Sequence, residues 1–403
     1  PLYRAAHPHP GALAVSDCPF CRIAGHERLL FSTPGARVLC DARPALVGHV
    51  LVVSESHVPS AEDLDGLDSL RFRLAQQEVA ARLHAVFGEV GVYEHGRSAI
   101  CRFHCADRGD THAHAHVVPI SCDLVERTGF LTRLERRPLA EQLVETDRYV
   151  YQESGATPVS TWGFGGGNVR RHFVRSELHR VLEERGARWV PLDAPPSEHR
   201  ETNEESVRLL GTPAAPGGHC ALSGGPPAFT EQASRELAAR LGWTLVRPQA
   251  LLRRVVRQEV LAPGQSLANV AAALARAVEL GAVRPGLDEA DLEPSTPALL
   301  AREEHLSRDP AVWQQLGGLL EVVLRARPSV FADTRPEGAG RVPGDGLVVR
   351  LADGAARPAG TAWHERHVDT TGLTPAQVAG CVAQAWELRL AAVTPEKAFS
   401  AAG

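Results

Sequence analysis

The stretch Thr111-His112-Ala113-His114-Ala115-His116-Val117-Val118-Pro119 places a histidine at every second position and ends in an apolar pair. In an extended strand, residues two apart lie on the same face, about 6.6 Å from one another. A strand here would line one face with three imidazoles and the other with apolar side chains. Three histidines in register predict a chemical site rather than a solvated strand.

The segments before this stretch predict a sheet and one long helix. Residues 36–40 and 48–54 are apolar runs flanked by turn signals, which predicts two strands. From Ser60 to Phe87 apolar residues recur at helical spacing, and Gly88 follows as a stop signal. With further strands at 90–93 and 112–118, the region is predicted to be α+β, an antiparallel sheet backed by a long helix.

The histidines, together with Cys18-Pro19-Phe20-Cys21 and His57, allow two metal sites. His112, His114 and His116 could bind one zinc ion with an open coordination position, as in a hydrolytic site. Alternatively, a closed structural zinc set would leave His114 and His116 free. The members of that set are Cys18, Cys21, His57 and His112. The Cys-x2-Cys pair favours the structural zinc, and the first arrangement stays open.

The pattern His-φ-His-φ-His-φ-φ, where φ is apolar, resembles the signature of the histidine triad (HIT) superfamily of nucleotide hydrolases and transferases. The resemblance runs from about Asp17 to Pro119. It implies structural zinc on the closed set and makes His114 the nucleophile that attacks an α-phosphorus. His116 would then bond phosphate oxygens or the leaving group. Because the transferase and phosphorylase branches tend to carry Gln at that third position, His116 favours hydrolysis.

The resemblance also implies that Asp41 binds the ribose hydroxyls of a nucleotide, which a carboxylate can accept together. The alternative for Asp41, in Cys40-Asp41-Ala42-Arg43-Pro44, is an Asx turn before the proline. His49 is expected to be structural.

The chain departs from the smallest HIT proteins just before the triad. Those proteins carry a Ser or Gln there that helps the leaving group, whereas Gly109 stands three residues before His112 in this chain. The candidates for that nucleotide-binding role are His95, Arg108 and Thr111, and an arginine suits charged phosphates.

Residues 126–190 are expected to extend the HIT domain. Gly163–Asn168 is rich in glycine and is followed by arginines on an expected helix at 170–185. This segment is either a flexible turn or a wall that completes the site. Residues 191–218 are polar and rich in Pro, Glu and Gly, which predicts a linker.

A strand, a Gly/Pro loop and a helix from His219 to Gly242 resemble the start of a cytidylate-kinase-like P-loop domain, covering about 219–391. A working loop reads Gly-x4-Gly-Lys-Ser/Thr. Counted from Gly224, its last three places hold Phe229, Thr230 and Glu231. We therefore predict a degenerate α/β kinase-like domain at 219–403 that acts as a scaffold, dimerisation surface or cover.

The whole chain has 403 residues, 44% of them hydrophobic, and a net charge of −5. This length predicts two or three domains, and the charge gives no reason to expect nucleic acid as a partner. No segment approaches about 18 consecutive apolar residues and the first residues lack a signal-peptide pattern, so no membrane contact and a cytoplasmic location are expected. The predicted order is an irregular lead-in at 1–16, a HIT-like domain at 17–125, its extension, the linker and the kinase-like domain.

The sequence thus predicts a hydrolase that cleaves a nucleoside phosphate derivative, an anhydride or a phosphoramidate, through a nucleotidyl-histidine on His114. Three alternatives stay open. They are a nucleotidyl transferase or phosphorylase of the same superfamily, a zinc-dependent hydrolase, and a non-catalytic nucleotide-binding scaffold. Monomer and homodimer are both compatible with the sequence.

Overall fold

The structure is a computed structural model. It describes residues 18–22, 28–97, 112–134, 148–156, 159–164, 173–210, 219–224, 226–247, 252, 255, 266–279, 310–316, 329–333, 347–352, 362 and 365–390. The chain divides into two compact units. Unit 1 comprises Pro1–Pro213, Gly354–Trp363 and Ala391–Gly403, and unit 2 comprises Ala214–Asp353 and His364–Leu390.

Unit 1 contains an eight-stranded sheet in which every neighbouring pair is antiparallel. Its strands are β1 (Leu29–Thr33), β2 (Ala36–Cys40), β3 (Val50–Ser54), β4 (Gly91–Gly96), β5 (His114–Val118), β6 (Thr132–Leu134), β7 (Tyr149–Ser154) and β8 (Val159–Phe164). Their spatial order is β1-β2-β3-β5-β4-β7-β8-β6. The triad strand β5 therefore lies in the middle of the sheet, and the extension after it adds three strands.

One face of this sheet packs against the long helix α1 (Gly66–Phe87). The Asp65 side chain caps its first turn by accepting from the Asp68 amide, and Gly88 ends it in the left-handed conformation with φ +74°. The predicted helix and its glycine stop are confirmed. The expected start near Ser60 is wrong, because Ala61–Asp63 forms a separate 3-10 turn.

The opposite face carries the triad. Ala115 and Val117 point into the core under α1. Because side chains alternate along a strand, His114 and His116 point to the other face. That face is covered by α2 (Leu124–Thr128) and α3 (Phe173–Glu184), whose apolar side chains form a second core with Tyr93 and Val118.

The predicted linker is partly a helix. Pro196–Leu210 forms α4, and Val207 and Leu210 are buried in the core shared with α1. On the same helix Ser206 accepts a hydrogen bond from the Gly48 amide at 2.7 Å. The linker prediction is therefore wrong for 196–210, which belongs to unit 1.

Unit 2 contains a five-stranded sheet in which every described pair is parallel, in the order β10-β11-β9-β12-β13. The strands are β9 (His219–Gly224), β10 (Thr244–Val246), β11 (Ser329–Asp333), β12 (Leu347–Ala352) and β13 (Glu365–Asp369). The described helices are α5 (Pro227–Leu241), α6 (Leu267–Glu279), α7 (Pro310–Gln315) and α8 (Pro375–Leu390). A parallel sheet with crossover helices is the predicted α/β arrangement.

In the part of the chain that the structure describes, no helix combines the length and the apolar character needed to cross a membrane.

Candidate active site and metal-binding group

Four predicted metal ligands meet beside the triad strand. Cys18 and Cys21 lie on one tight turn, in which the Cys21 amide donates to the Cys18 carbonyl at 3.2 Å. His57 follows β3 and His112 precedes β5, and these two strands are paired. The ligand atoms Sγ, Sγ, Nδ1 and Nδ1 all lie within 4.8 Å of one another.

The distances between these atoms match the edges of a tetrahedron around zinc. The two Nδ1 atoms of His57 and His112 are 3.2 Å apart. Cys21 Sγ lies 3.2 Å from His57 Nδ1, and Cys18 Sγ lies 3.4 Å from His112 Nδ1. Zn–S bonds of about 2.3 Å and Zn–N bonds of about 2.0–2.1 Å give edges of about 3.3 Å (N to N) and about 3.5 Å (N to S). The group therefore fits one tetrahedral ion.

The surroundings of His112 also suit a metal ligand. Its Nε2 lies 2.9 Å from the Ser54 carbonyl, which accepts the N–H and leaves Nδ1 as the ligand atom. Burial lowers the pKa of His112 to about 4, so the ring is neutral. Burial and the neighbouring Cys18 raise the pKa of Cys21 to about 11, and a bound cation would reverse this by stabilising the thiolate.

The three triad histidines do not converge on one point, so the alternative of a single ion held by all three is wrong. His112 Nδ1 faces the cysteines, whereas His114 Nδ1 lies 2.7 Å from the His112 carbonyl. His116 Nδ1 faces His49.

His114 is a buried neutral base with one nitrogen available. The 2.7 Å contact makes Nδ1 the donor to the His112 carbonyl, so Nε2 keeps its lone pair. Burial lowers the pKa of His114, which keeps the ring neutral. The ring packs against Phe20, with centroids 5.1 Å apart. A neutral imidazole with a fixed tautomer has the form that a histidine nucleophile requires.

The hydrogen bonds of His49 fix the tautomer of His116. His49 Nδ1 accepts from the Ala45 amide at 3.0 Å, so its proton is on Nε2. That Nε2 lies 2.8 Å from His116 Nδ1, which must accept. The neutral His116 therefore carries its proton on Nε2, where it can be donated to another group. His49 is thus hydrogen-bonded to a triad histidine and to the backbone.

Asp41 follows β2 and is only 4% exposed. Its Oδ1 accepts from the Arg43 amide at 2.9 Å, the geometry of an Asx turn. Its Oδ2 pairs with the guanidinium of Arg175 on α3. Burial alone would raise the pKa of Asp41, but Arg175 and His49 outweigh it and hold the pKa well below its usual range.

Asp41, His49 and His116 form a second group whose ligand atoms lie close together. The 2.8 Å distance between the two imidazoles is that of a hydrogen bond, and the Arg175 cation pairs with the carboxylate. Binding of a metal ion between these three side chains is therefore disfavoured.

The other predicted nucleotide-binding residues are placed only in part. His95 is buried on β4 beside Phe173, with ring centroids 6.2 Å apart. Arg108 and Thr111 lie outside the described residues, as do the lead-in at 1–16 and the glycines at 165–167.

Asn203 reaches the site although the sequence did not single it out, and Arg175 reaches it with a partner that the sequence did not give. Arg175 stands 134 residues after Asp41, and Asn203 Nδ2 donates to the Asp41 carbonyl oxygen at 3.0 Å from 162 residues away. The arginine-bearing helix expected at 170–185 gave the only signal for Arg175.

No protein-family model matches the chain, and neither does any curated protein. Among solved structures, the chain is similar to a HIT-like protein involved in cell-cycle regulation from Bartonella henselae, with 18% identity and a TM-score of 0.19. That match covers 23% of this chain and 65% of the Bartonella chain. A hypothetical histidine triad nucleotide-binding protein from Sulfolobus tokodaii is similar at 21% identity and a TM-score of 0.21, over 26% of this chain and 68% of its own.

Proposed function

We propose that unit 1 is a HIT-type hydrolase that cleaves a nucleoside phosphate derivative at the α-phosphorus through a nucleotidyl-histidine on His114. The observation that carries this proposal is the 2.7 Å contact between His114 Nδ1 and the His112 carbonyl. It gives a buried neutral imidazole whose Nε2 lone pair is available to attack phosphorus.

The first step forms a bond between His114 Nε2 and the α-phosphorus and breaks the bond to the leaving group, which takes up a proton from solvent when it leaves as an amine. Nitrogen then carries positive charge, which the His112 carbonyl stabilises through the Nδ1 hydrogen bond. In the second step water attacks phosphorus and releases one proton to solvent, the bond between Nε2 and phosphorus breaks, the nucleoside monophosphate leaves, and the Nε2 lone pair is restored. Splitting the reaction in this way replaces one difficult displacement with two easier ones.

His116 is proposed to donate a hydrogen bond from its Nε2–H to a phosphate oxygen or to the leaving atom, which is oxygen in an anhydride and nitrogen in a phosphoramidate. The hydrogen bonds from Ala45 through His49 support this role, because they leave the proton on that nitrogen. His95, Arg108 and Thr111 remain proposed contacts of the nucleotide. Asp41 also remains a proposed contact of the ribose hydroxyls, because a carboxylate that accepts from the Arg43 amide and pairs with Arg175 has further acceptor positions.

We also propose that Cys18, Cys21, His57 and His112 hold a structural zinc ion, which when bound would cross-link the turn 18–21 to the start of the triad strand. The match between the observed distances and tetrahedral edges supports this assignment. We propose a reducing, cytoplasmic location, because the Cys18/Cys21 pair is of the metal-binding kind and such pairs suit a reducing compartment.

Unit 2 is proposed to be a degenerate kinase-like domain that serves as a scaffold. The parallel sheet, and the helix α5 that follows β9, support the comparison. Thr230 stands where a working loop has lysine, and its hydroxyl donates to the Gly224 carbonyl. A phosphate-binding cation is therefore missing from that position.

The test uses the full-length chain with α-labelled adenosine 5′-phosphoramidate, diadenosine polyphosphates and cytidine diphosphate conjugates. We expect labelled nucleoside monophosphate, which His114→Ala should abolish and His116→Ala should slow. His84→Ala on α1 is the matched control and should retain the wild-type rate. Full activity in His114→Ala would refute the proposal.

Adding inorganic phosphate or a sugar phosphate separates hydrolysis from transfer. Nucleoside monophosphate as the sole labelled product supports a hydrolase, whereas a labelled adduct of the acceptor supports the transferase or phosphorylase. If no substrate is turned over or bound, the chain is a scaffold and the catalytic proposal fails.

A further inference from the structure

The peptide unit between His112 and Ala113 joins the metal-binding group to the nucleophile. Its N–H, on Ala113, donates to the Val58 carbonyl at 2.7 Å. Its C=O, on His112, accepts from His114 Nδ1 at 2.7 Å. Val58 directly follows the candidate ligand His57, and His112 is itself a candidate ligand. One peptide unit is therefore held on one side next to a ligand and is bonded on the other side to the His114 ring.

The ring of His112 restrains the same peptide unit. Its Nε2 lies 2.9 Å from the Ser54 carbonyl. Its Nδ1 lies 3.4 Å from Cys18 Sγ and 3.2 Å from His57 Nδ1. A metal ion bound at this group would hold the ring at both of its nitrogens. The His112 backbone then has little freedom to turn its carbonyl away from His114.

The cysteine turn reaches His114 by a separate route. Phe20 lies between Cys18 and Cys21 and is 8% exposed. Its ring packs against His114, with centroids 5.1 Å apart, and against His112, with centroids 5.6 Å apart. The Phe20 ring therefore restricts rotation of the His114 side chain, and its own place depends on the two thiols that flank it.

We propose that the metal-binding group positions the nucleophile: when it holds its ion, the His112 carbonyl and the Phe20 ring fix His114 in the tautomer and orientation that attack phosphorus. His112 and Phe20 are then positioning residues for His114. This inference rests on the proposed function of the His114 site. It adds that occupancy of the metal-binding group regulates the rate of the nucleophilic step.

The physical reason is that attack requires one tautomer and one ring position. A proton on Nδ1 leaves the lone pair on Nε2, whereas a neutral ring with its proton on Nε2 cannot attack from that atom. A displacement of the reacting atom by about 1 Å can cost about 100-fold in rate. Linked amides also polarise one another. The hydrogen bond to Val58 therefore makes the His112 carbonyl a better acceptor for the charge that His114 gains.

The experiment compares the full-length zinc-bound chain with the same chain after a chelator has removed zinc and after zinc is added back. Adduct formation is followed in single turnovers at saturating adenosine 5′-phosphoramidate. Exchange of the His114 Nδ1 proton with solvent is followed, without substrate, by NMR of chain labelled with ¹⁵N-histidine, and His114→Ala assigns the signal. We expect zinc removal to slow adduct formation at least about tenfold and to speed proton exchange at least about tenfold. Added zinc should restore both rates.

A variant that keeps all four ligands tests the second route. Phe20→Ala should retain the zinc content of the wild type, and it should change both rates in the same directions as zinc removal. Phe31→Ala is the matched control, because it removes a partly buried ring that packs in the core under α1, on the other face of the sheet. It should leave both rates at the wild-type values.

Three results would overturn the inference. The first is a metal-free chain, folded by circular dichroism, with the adduct formation and proton exchange of the zinc-bound chain. The second is a Phe20→Ala chain with full zinc content and the wild-type exchange rate. The third is a chain that takes up no zinc. If the metal-free chain does not fold, the Phe20→Ala comparison alone decides. A zinc-bound wild type that cleaves no substrate would instead refute the proposed function, and the exchange measurement would still test the positioning of His114.

Discussion

Replacing Glu94 by glutamine tests the protonation of a buried carboxyl group next to the triad strand. Glu94 lies on β4 opposite Ala115 of β5 and is 1% exposed. Its Oε1 accepts from the Ala61 amide at 2.7 Å and from the Tyr149 hydroxyl at 3.1 Å. Burial raises the pKa of Glu94 to about 7, although Arg73, 3.5 Å from Oε2, partly opposes the rise.

The sign of the effect follows from the direction of this shift. Glu94 has an ordinary pKa of 4.5 and a folded-state pKa of about 7, so the folded protein holds the proton more tightly than the unfolded chain. The stability that this supplies is complete below pH 4.5 and is lost as the pH rises through 7. The full loss is about 3 kcal/mol, and most of it falls between pH 5 and pH 8.

The assay is urea-dependent hydrogen exchange of the β4 and β7 amides, which reports the free energy of unfolding of unit 1. The difference in that free energy between wild type and Glu94→Gln should fall by about 2–3 kcal/mol from pH 5 to pH 8. Glu184→Gln, at a side chain that is 50% exposed, is the control for the substitution itself. A Glu94→Gln difference that is equal at both pH values would refute the reasoning.

Three further predictions concern the metal, the triad and the packing. The purified chain should contain one zinc ion. Cys21→Ser should lower the zinc content at least about tenfold and lower Tm. Metal analysis and calorimetry check this, and a zinc content equal to that of the wild type would contradict it. His49→Phe removes the N–H that fixes the tautomer of His116, so kcat should fall about 10–100-fold with little change in KM. Steady-state kinetics measure both constants, and an unchanged kcat would exclude the role of His49 in orienting His116. Gly96→Ala would place its Cβ 2.1 Å from the Tyr149 ring. The free energy of unfolding, measured with urea, should therefore fall by about 2–3 kcal/mol. An unchanged unfolding midpoint would show that the ring can move.

The parts of unit 1 that the sequence predicted are those with a local signal. The alternating histidines predicted β5, and the apolar spacing before Gly88 predicted α1. The metal group also had a local signal, because a Cys-x2-Cys pair places two thiols on one turn. Pairing of β3 with β5 then brings His57 and His112 to that turn.

Helix α4 was not predicted because its buried face is largely polar. Of its fifteen residues, the buried ones include Thr202, Asn203 and Ser206, while Val207 and Leu210 are the buried apolar ones. Composition therefore indicated a linker. These polar side chains are buried because they bond the backbone, as Asn203 bonds Asp41 and Ser206 bonds Gly48.

Arg175 could not be assigned a partner from the sequence for a different reason. Its contact with Asp41 depends on how α3 packs across the triad face of the sheet, and no residue spacing encodes a contact over 134 positions. The Asx turn and the ribose contact at Asp41 were equally compatible with the local sequence. The tertiary packing of α3 adds the pair with Arg175, which the local sequence does not encode.

The central claim is that His114 forms a covalent bond to phosphorus, and its most direct test is to isolate that adduct. The full-length chain would be quenched at alkaline pH during turnover of an adenosine phosphoramidate, digested, and sequenced by tandem mass spectrometry. We predict an adenylyl group on His114 that is present in His116→Ala and absent in His114→Ala. An adduct on another residue, or turnover by the wild type and by His116→Ala without any adduct, would contradict the account.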